Sequence, residues 1–350
     1  MRVGLFQSYV TDSDALRAAL ALAQEAESAG LDRVWVAEAY GSDAVTVLAA
    51  VAARTSRIGI GSAVLQIPAR TPAATVMTAA TLDALSGGRF SLGLGVSGPQ
   101  VSEGWHGVRF ADPLGRTREY LELVRRGLAR RRLTGPGPHL PLPLPDGPGK
   151  PLVLAFDPVR KAVPIYLAAL GPKNLALTAG LADGWLGIFV DPEQEDGPLA
   201  TLHAAVAAAG REPGAVDVAL SVPVAVHPDP QRAADRVRAH AALYLGGMGS
   251  RESNFYHRTA TRMGFGRQAD EVQEKYMARD YAGAAAAVPF DFLDATCLLG
   301  DEQRLAERLG RYAEAGVDAV YVSVFDVGLD ARIGTLHTVM AAARRAGVAA

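Results

Sequence analysis

Several short stretches of this chain bring together residue types that could bind or act on a small molecule. Glu38 ends the apolar run Arg33 to Glu38, and Tyr40 follows it in the loop EAYGSD. A carboxylate so placed either hydrogen-bonds a cofactor or begins the loop as a capping, solvated group. Gly93, Gly95 and Gly98 spell G-x-G-x-x-G directly after the run Phe90 to Gly95, which is the spacing of a dinucleotide fingerprint. The context argues against that use: Pro99 and a polar loop follow, and the motif comes late for the opening unit of a Rossmann fold. The glycines read otherwise as backbone that a planar ring or phosphate can approach closely, or as a plain tight turn. Trp105 and His106, in EGWHG, pair a flat stacking surface with a titratable donor. Phe255, Tyr256 and His257 stand together farther along, offering aromatic surface with a few donors for a substrate wall, or an anchor for their own loop. No His, Asp or Glu set has metal-ligand spacing and no G-x-S-x-G elbow occurs, which disfavours metal hydrolysis and serine-nucleophile chemistry.

The elements that must position these residues follow one rhythm. Short β-branched or apolar runs alternate with helical segments, the mark of repeated βαβ units. Eight strands are expected: Val3 to Phe6, Arg33 to Glu38, Ile58 to Gln66, Phe90 to Gly95, Ile165 to Leu170, Trp185 to Val190, Val218 to Val226 and Ala319 to Val324. Their apolar runs are nearly continuous, as in parallel strands covered on both faces. The fold class expected is therefore α/β, a (β/α)8 TIM barrel forming one domain over 1–350. Two segments break the rhythm. An extended insertion after the fourth helix, about 135–164, carries GPGPHLPLPLPDGPGKP, whose prolines forbid helix or central strand. A helical insertion after the seventh strand, about 245–294, should emerge at the C-terminal face of the barrel, where such enzymes bind substrate.

Composition narrows the function. The 350 residues hold 35 basic and 37 acidic side chains, a formal charge of −2, which offers no positive field for nucleic acid or anionic lipid. A small-molecule partner is favoured. Cys297 is the single cysteine, which excludes an internal disulfide and multi-cysteine metal sites and suits a reducing cytoplasm. MRVGLFQ begins as a strand, and no run approaches the roughly 18 apolar residues of a membrane span, so neither secretion nor membrane insertion is expected.

Taken as a set, the motifs resemble the deazaflavin-dependent branch of the luciferase-like monooxygenase superfamily. The resemblance is carried by RIGIGSAVLQIPARTPAATVMTAATLDALSGGRFSLGLGVSGPQVSEGWHG at Arg57 to Gly107 and by VWVAEAYGSDA at Val34 to Ala44. LGRTREY at Leu114 to Tyr120, IYLAALGPKNLALTAGLADGWL at Ile165 to Leu186, and Cys297 to Gly300 followed by a helix and AGVDAVYVSV complete it, in the family's order. It implies a barrel whose C-terminal face holds the ring of coenzyme F420, or alternatively FMN, against a bulge in the third strand. In the family that bulge often contains a non-prolyl cis peptide, and the matching bond is Ala63–Val64. The resemblance further places Glu38, Gly95, Val96, Ser97, Gly98 and the turn Ala168, Ala169, Leu170, Gly171 around the cofactor. Gly171 with Lys173 and Asn174 opens a helix whose N–H groups suit a phosphate.

One departure bears on catalysis. Several relatives end the second strand in Asp-His, where this chain has Glu38-Ala39, and an acid that some carry after the fourth strand is missing. Glu38, Glu103 and His106 are the substitutes expected to act as acid or base. Tyr40, Trp105, Phe255, Tyr256 and His257 are expected to contact substrate. The reaction implied is hydride transfer at the deazaflavin C5, reducing an activated C=C or C=N bond. The rivals are an FMN-dependent monooxygenase with a partner reductase and a catalytically silent flavin-binding barrel. A homodimer built on the second and third helices is implied as well.

Overall fold

The computed structural model describes residues 1–160, 162–251 and 254–349. Ten strands form one parallel sheet: β1 (Arg2–Gln7), β2 (Arg33–Val36), β3 (Gly59–Ser62), β4 (Leu65–Gln66), β5 (Phe90–Gly95), β6 (Ile165–Ala168), β7 (Gly184–Ile188), β8 (Asp217–Val226), β9 (Leu298–Gly300) and β10 (Ala319–Val324). The order β1-β2-β3-β5-β6-β7-β8 is closed by β10, which pairs β8 on one side and β1 on the other. This is an eight-stranded barrel. The single strand expected over Ile58 to Gln66 is interrupted at residues 63 and 64, and its continuation β4 pairs the far end of β5. The strand not expected is β9, which adds to the last residues of β8.

Local chemistry accounts for the helices that follow the strands. The first, Ser13–Ser28, is capped by Asp12, whose carboxylate accepts from the Ala15 N–H at 2.8 Å, and Gly30 at φ +84° turns the chain after it. Asp43, Thr71 and Asp112 cap Ala44–Arg54, Pro72–Leu85 and Pro113–Leu128 in the same way. Each buries one apolar face against the sheet. The stretch after Gly98, expected as a loop, forms a short helix, Pro99–Gly104, with proline in its first turn.

The two insertions differ in kind. Among its described residues the proline-rich one has a single isolated bridge, Gly135 to Leu142, and a cis Leu142–Pro143 bond. The later one is helical, with Phe255–Arg262, Gly266–Met277, Tyr281–Ala287 and Phe290–Thr296. The stretch EVQEKYMARDYAGAAAA does not run as one helix. Arg279 adopts φ +64° and Asp280 caps a new helix by accepting from Gly283 N–H at 2.8 Å. These helices carry a second apolar core around Phe189, Val237, Val272, Phe292 and the buried Cys297. No described helix is long and apolar enough to cross a membrane.

Inside the barrel, side chain size sets the floor of any cavity. Trp35, Tyr166 and Tyr321 meet edge to face, with Trp35 to Tyr166 at 5.0 Å and Trp35 to Tyr321 at 5.7 Å between ring centres. Glycines leave the room they need: a Cβ on Gly61 would lie 2.4 Å from the Trp35 ring, and one on Gly184 would lie 2.2 Å from the Tyr166 ring.

Candidate active site

Toward the C-terminal ends of the strands the inward side chains become small, and a cavity of about 700 Å³ opens. Trp35, Leu186 and Tyr321 line it together with Ala37, Ala63, Ala168, Gly187 and Ser221. A volume of this size and an apolar lining with few polar groups suit a ring-sized cofactor and a small substrate.

One wall is the break between β3 and β4. The Ala63–Val64 peptide is cis, and both residues line the cavity with Gly95, Val96, Ser97 and Gly98. Ser62 holds the strands on either side: its hydroxyl donates to the Gly93 carbonyl at 2.9 Å and accepts from the Gly93 N–H at 3.0 Å. The approach is so close that a Cβ on Gly93 would fall 1.8 Å from the Ser62 carbonyl oxygen. Gly95 is likewise required, because a Cβ there would meet Val64 Cγ2 at 2.5 Å. The first two glycines of the G-x-G-x-x-G spacing thus serve strand packing and the bulge, not a Rossmann turn. Beyond them, Gln66 donates to the Ala39 carbonyl at 2.8 Å and accepts from the Ser97 hydroxyl at 2.9 Å, tying three strand ends together. Ser97 sits at φ +62°.

Glu38 lines the cavity, yet its carboxylate is already engaged. Both oxygens accept from the Arg70 guanidinium, the Nη2 contact at 2.8 Å, and Oε1 also accepts from the Ala44 N–H at 3.3 Å. The pair is enclosed, with side chains 9% and 17% exposed. Arg70 reaches Asp43 as well, at 2.8 Å. Burial alone would lower the Arg70 pKa, but Glu38 and Asp43 hold it above its ordinary value. A carboxylate held this way orients the chain beyond β2, and three of its roughly four lone-pair sites are already taken.

The opposite wall comes from the helical insertion. Asn254 is buried and pins it: its Oδ1 accepts from Tyr256 and His257 N–H at 2.9 and 3.0 Å, and its amide donates to the Tyr244 and Leu245 carbonyls at 2.9 and 2.8 Å. Phe255 and Tyr256 thereby face the cavity, Tyr256 edge-on to Tyr244 at 4.7 Å. Burial raises the Tyr256 hydroxyl to about 12. Tyr9 and Tyr40 stand nearby with ring centres 5.8 Å apart; burial first, then the Tyr40 hydroxyl, raise Tyr9 to about 12. The Tyr9 and Tyr256 phenols stay protonated at neutral pH.

The loop over Ala168, Ala169, Leu170 and Gly171 forms the third side, with Lys173 and Asn174. The Trp185 indole donates to the Ala169 carbonyl at 2.9 Å and Asn174 donates to the Ala168 carbonyl at 3.3 Å, fixing the loop. The helix Pro172–Leu181 starts at Gly171 with no side-chain cap.

Four expected site residues fall elsewhere. Trp105, 66% exposed, and His106 lie outside the cavity lining, beyond the short helix that replaces the expected loop. Glu103 also lies outside it: its carboxylate accepts from the Phe110 N–H at 3.0 Å and faces Arg109 at 3.6 Å. His257 bonds Asp270 at 2.9 Å, joining two insertion helices. Residues overlooked in the sequence but brought to the cavity include Tyr9, Gln66, Tyr244, Arg258 and Arg262. Gln66 had a signal, a polar side chain closing the apolar run AVL; the arginines had none beyond helical spacing.

The family description for luciferase-like monooxygenases matches residues 1–319. The chain belongs to that family. A Mycobacterium tuberculosis member, provisionally named a coenzyme F420-dependent oxidoreductase, is 41% identical over 309 residues, covering 86% of this chain and 89% of its own. The 5,10-methylenetetrahydromethanopterin reductase of Archaeoglobus fulgidus is 27% identical over 296 residues, covering 84% and 86%. Among solved structures, the coenzyme F420-dependent tetrahydromethanopterin reductase from Methanopyrus kandleri superposes with a TM-score of 0.80 at 21% identity, over 97% of this chain and 98% of that one. This last likeness establishes that the luciferase-like barrel is shared. Within the luciferase-like frame the Glu38–Arg70 pair has a testable structural weight. Arg70→Met leaves a buried carboxylate without its partner, which is expected to cost about 3 kcal/mol of unfolding free energy. Adding Glu38→Gln should recover part of that loss, since the two changes touch one interaction. Urea denaturation of the single and double variants checks both expectations.

Proposed function

We propose that this protein is an F420-dependent oxidoreductase that moves a hydride between a deazaflavin and a small organic substrate, reducing an activated C=C or C=N bond. The observation that carries the reading is the slot between the Ala63–Val64 bulge with Gly95 to Gly98 on one side and Ala168 to Gly171 on the other. The relative at 41% identity named for coenzyme F420 supports the cofactor.

The residues present fit such a group. Gly95 and Ala63 line the slot without bulky side chains, and the side-chain oxygen of Asn174 is buried there without a hydrogen-bond partner among the described residues. Gly171 and Lys173 supply N–H groups and a cation for a phosphate. A bound deazaflavin supplies hydride transfer at its C5. The chain's own work is to orient both reactants, exclude water and hold a proton. With Glu38 committed to Arg70, and Glu103 and His106 away from the cavity, the hydroxyls of Tyr9 and Tyr40 are the groups we assign to holding that proton. Phe255, Tyr256 and Tyr40 form the substrate wall. The enzyme works in the cytoplasm as a homodimer through the helices Ala44–Arg54 and Pro72–Leu85, the second of which exposes Met77 at 61% and Leu85 at 58%.

Three measurements bear on this. Fluorescence titration should show tighter binding of coenzyme F420 than of FMN; equal or tighter FMN binding overturns the cofactor assignment. Phe255→Ala should change turnover or preference across a panel of enones and imines while F420 affinity stays within a few-fold; unchanged selectivity with lost cofactor binding removes the substrate wall. Light scattering at micromolar concentration should give twice the 36.6 kDa chain mass, and a monomer mass would refute the dimer.

A further inference from the structure

The charges that line the cavity are unevenly placed. Its carboxylate, Glu38, is spent on Arg70, whereas three cations, Lys173, Arg258 and Arg262, also line it. Lys173 belongs to the barrel, in the first turn of Pro172–Leu181. Arg262 belongs to the insertion, at the end of Phe255–Arg262. Yet the two elements meet there: Arg262 Nη2 donates to the Leu170 carbonyl at 3.0 Å and to the Thr259 hydroxyl at 3.1 Å. Both acceptors are neutral. Neither Lys173 nor Arg262 forms an ion pair with any carboxylate among the described residues, although the chain carries 37 acidic side chains that could have supplied one. Burial first, and the neighbouring Arg258 second, lower the Arg262 pKa, so the arginines repel across this rim. Lys173 and Arg262, drawn from two elements to one loop of the cavity and with no carboxylate partner among the described residues, are an arrangement that an anionic ligand group would relieve.

We propose that Arg262, reaching in from the insertion, and Lys173, on the barrel, together grip the anionic arm of the cofactor. The insertion is then a cofactor-selecting element as well as a substrate wall. This rests on the deazaflavin reading above, and it adds to that reading a determinant outside the barrel. The ring would be read by the bulge and the glycines; the phosphate-bearing arm would be read by side chains that only the folded insertion brings to the Leu170 loop. Affinity should therefore depend on the arm and weaken with salt.

The test compares two probes on the full-length protein: coenzyme F420 and the same deazaflavin chromophore lacking the phosphate-bearing arm. Dissociation constants are taken by fluorescence titration at low and high salt, with circular dichroism confirming that each variant is folded. The wild-type protein should bind F420 at least roughly ten-fold more tightly than the armless chromophore, the scale of one charge-assisted contact. Arg262→Gln should remove most of that preference by weakening F420 alone, and Arg262→Lys should restore part of it. Lys173→Gln should act in the same direction. If Arg262→Gln leaves F420 affinity within two-fold, the proposal fails, and the rim would answer to an anionic substrate instead. If it weakens both probes equally, Arg262 merely props the Leu170 loop and the proposal also fails. If the wild-type protein binds the chromophore with no preference for the arm, this inference falls while the deazaflavin reading stands. If it binds neither probe, both fall.

Discussion

Everything at the mouth of this barrel depends on how its interior is filled. Eight strands enclose space that side chains can occupy completely. Here Trp35, Tyr166 and Tyr321 take the lower part, their edge-to-face contacts made possible by glycines on neighbouring strands. Above them the chain places alanine, serine and glycine. The cavity is thus a consequence of a change in side-chain size along the strands, and its depth is fixed by where the rings stop. A ligand meets a rigid aromatic floor.

The walls follow from two further constraints. Ser62 and Gly93 draw β3 against β5 more closely than any larger residue at 93 would permit, and the chain leaves β3 through the cis peptide before regaining the sheet as β4. Glu38 and Arg70 then fix the end of β2 beside that bulge. The ion pair gives the carboxylate best placed by topology a structural task. Geometry brought it to the site, and a guanidinium already occupies its oxygens. Tyr9 and Tyr256 are the opposite case: burial raises their hydroxyls and keeps the proton on oxygen.

How much of this was legible in the sequence differs by the kind of interaction involved. Parallel strands leave nearly continuous apolar runs, so the barrel and its eight units could be read directly. The bulge residues, Gly95 to Gly98 and the Ala168 to Gly171 turn were reached through family motifs, and the structure brings all of them to one cavity. The failures are contacts between distant segments. Nothing near Glu38 in sequence announces Arg70, 32 residues on. Trp105 and His106 have the residue types of a site, but the helix Pro99–Gly104 takes up the chain before them and they lie outside the cavity lining. Nothing in the sequence around Arg262 announces Leu170, 92 residues away, whose carbonyl it meets. The strand Leu298–Gly300 is too short for a periodic signal and exists because the end of β8 offers it a partner.

That last strand has an evolutionary side. Having left β8, the chain runs through all the insertion helices and returns to pair with Val224 to Val226, one strand spacing from where it departed. The excursion begins and ends at nearly the same point, and it has a hydrophobic core of its own. Lengthening, shortening or replacing it would leave the barrel's hydrogen-bond register untouched. Descendants could therefore exchange this cassette wholesale, acquiring a new roof over an inherited floor without renegotiating the fold beneath it.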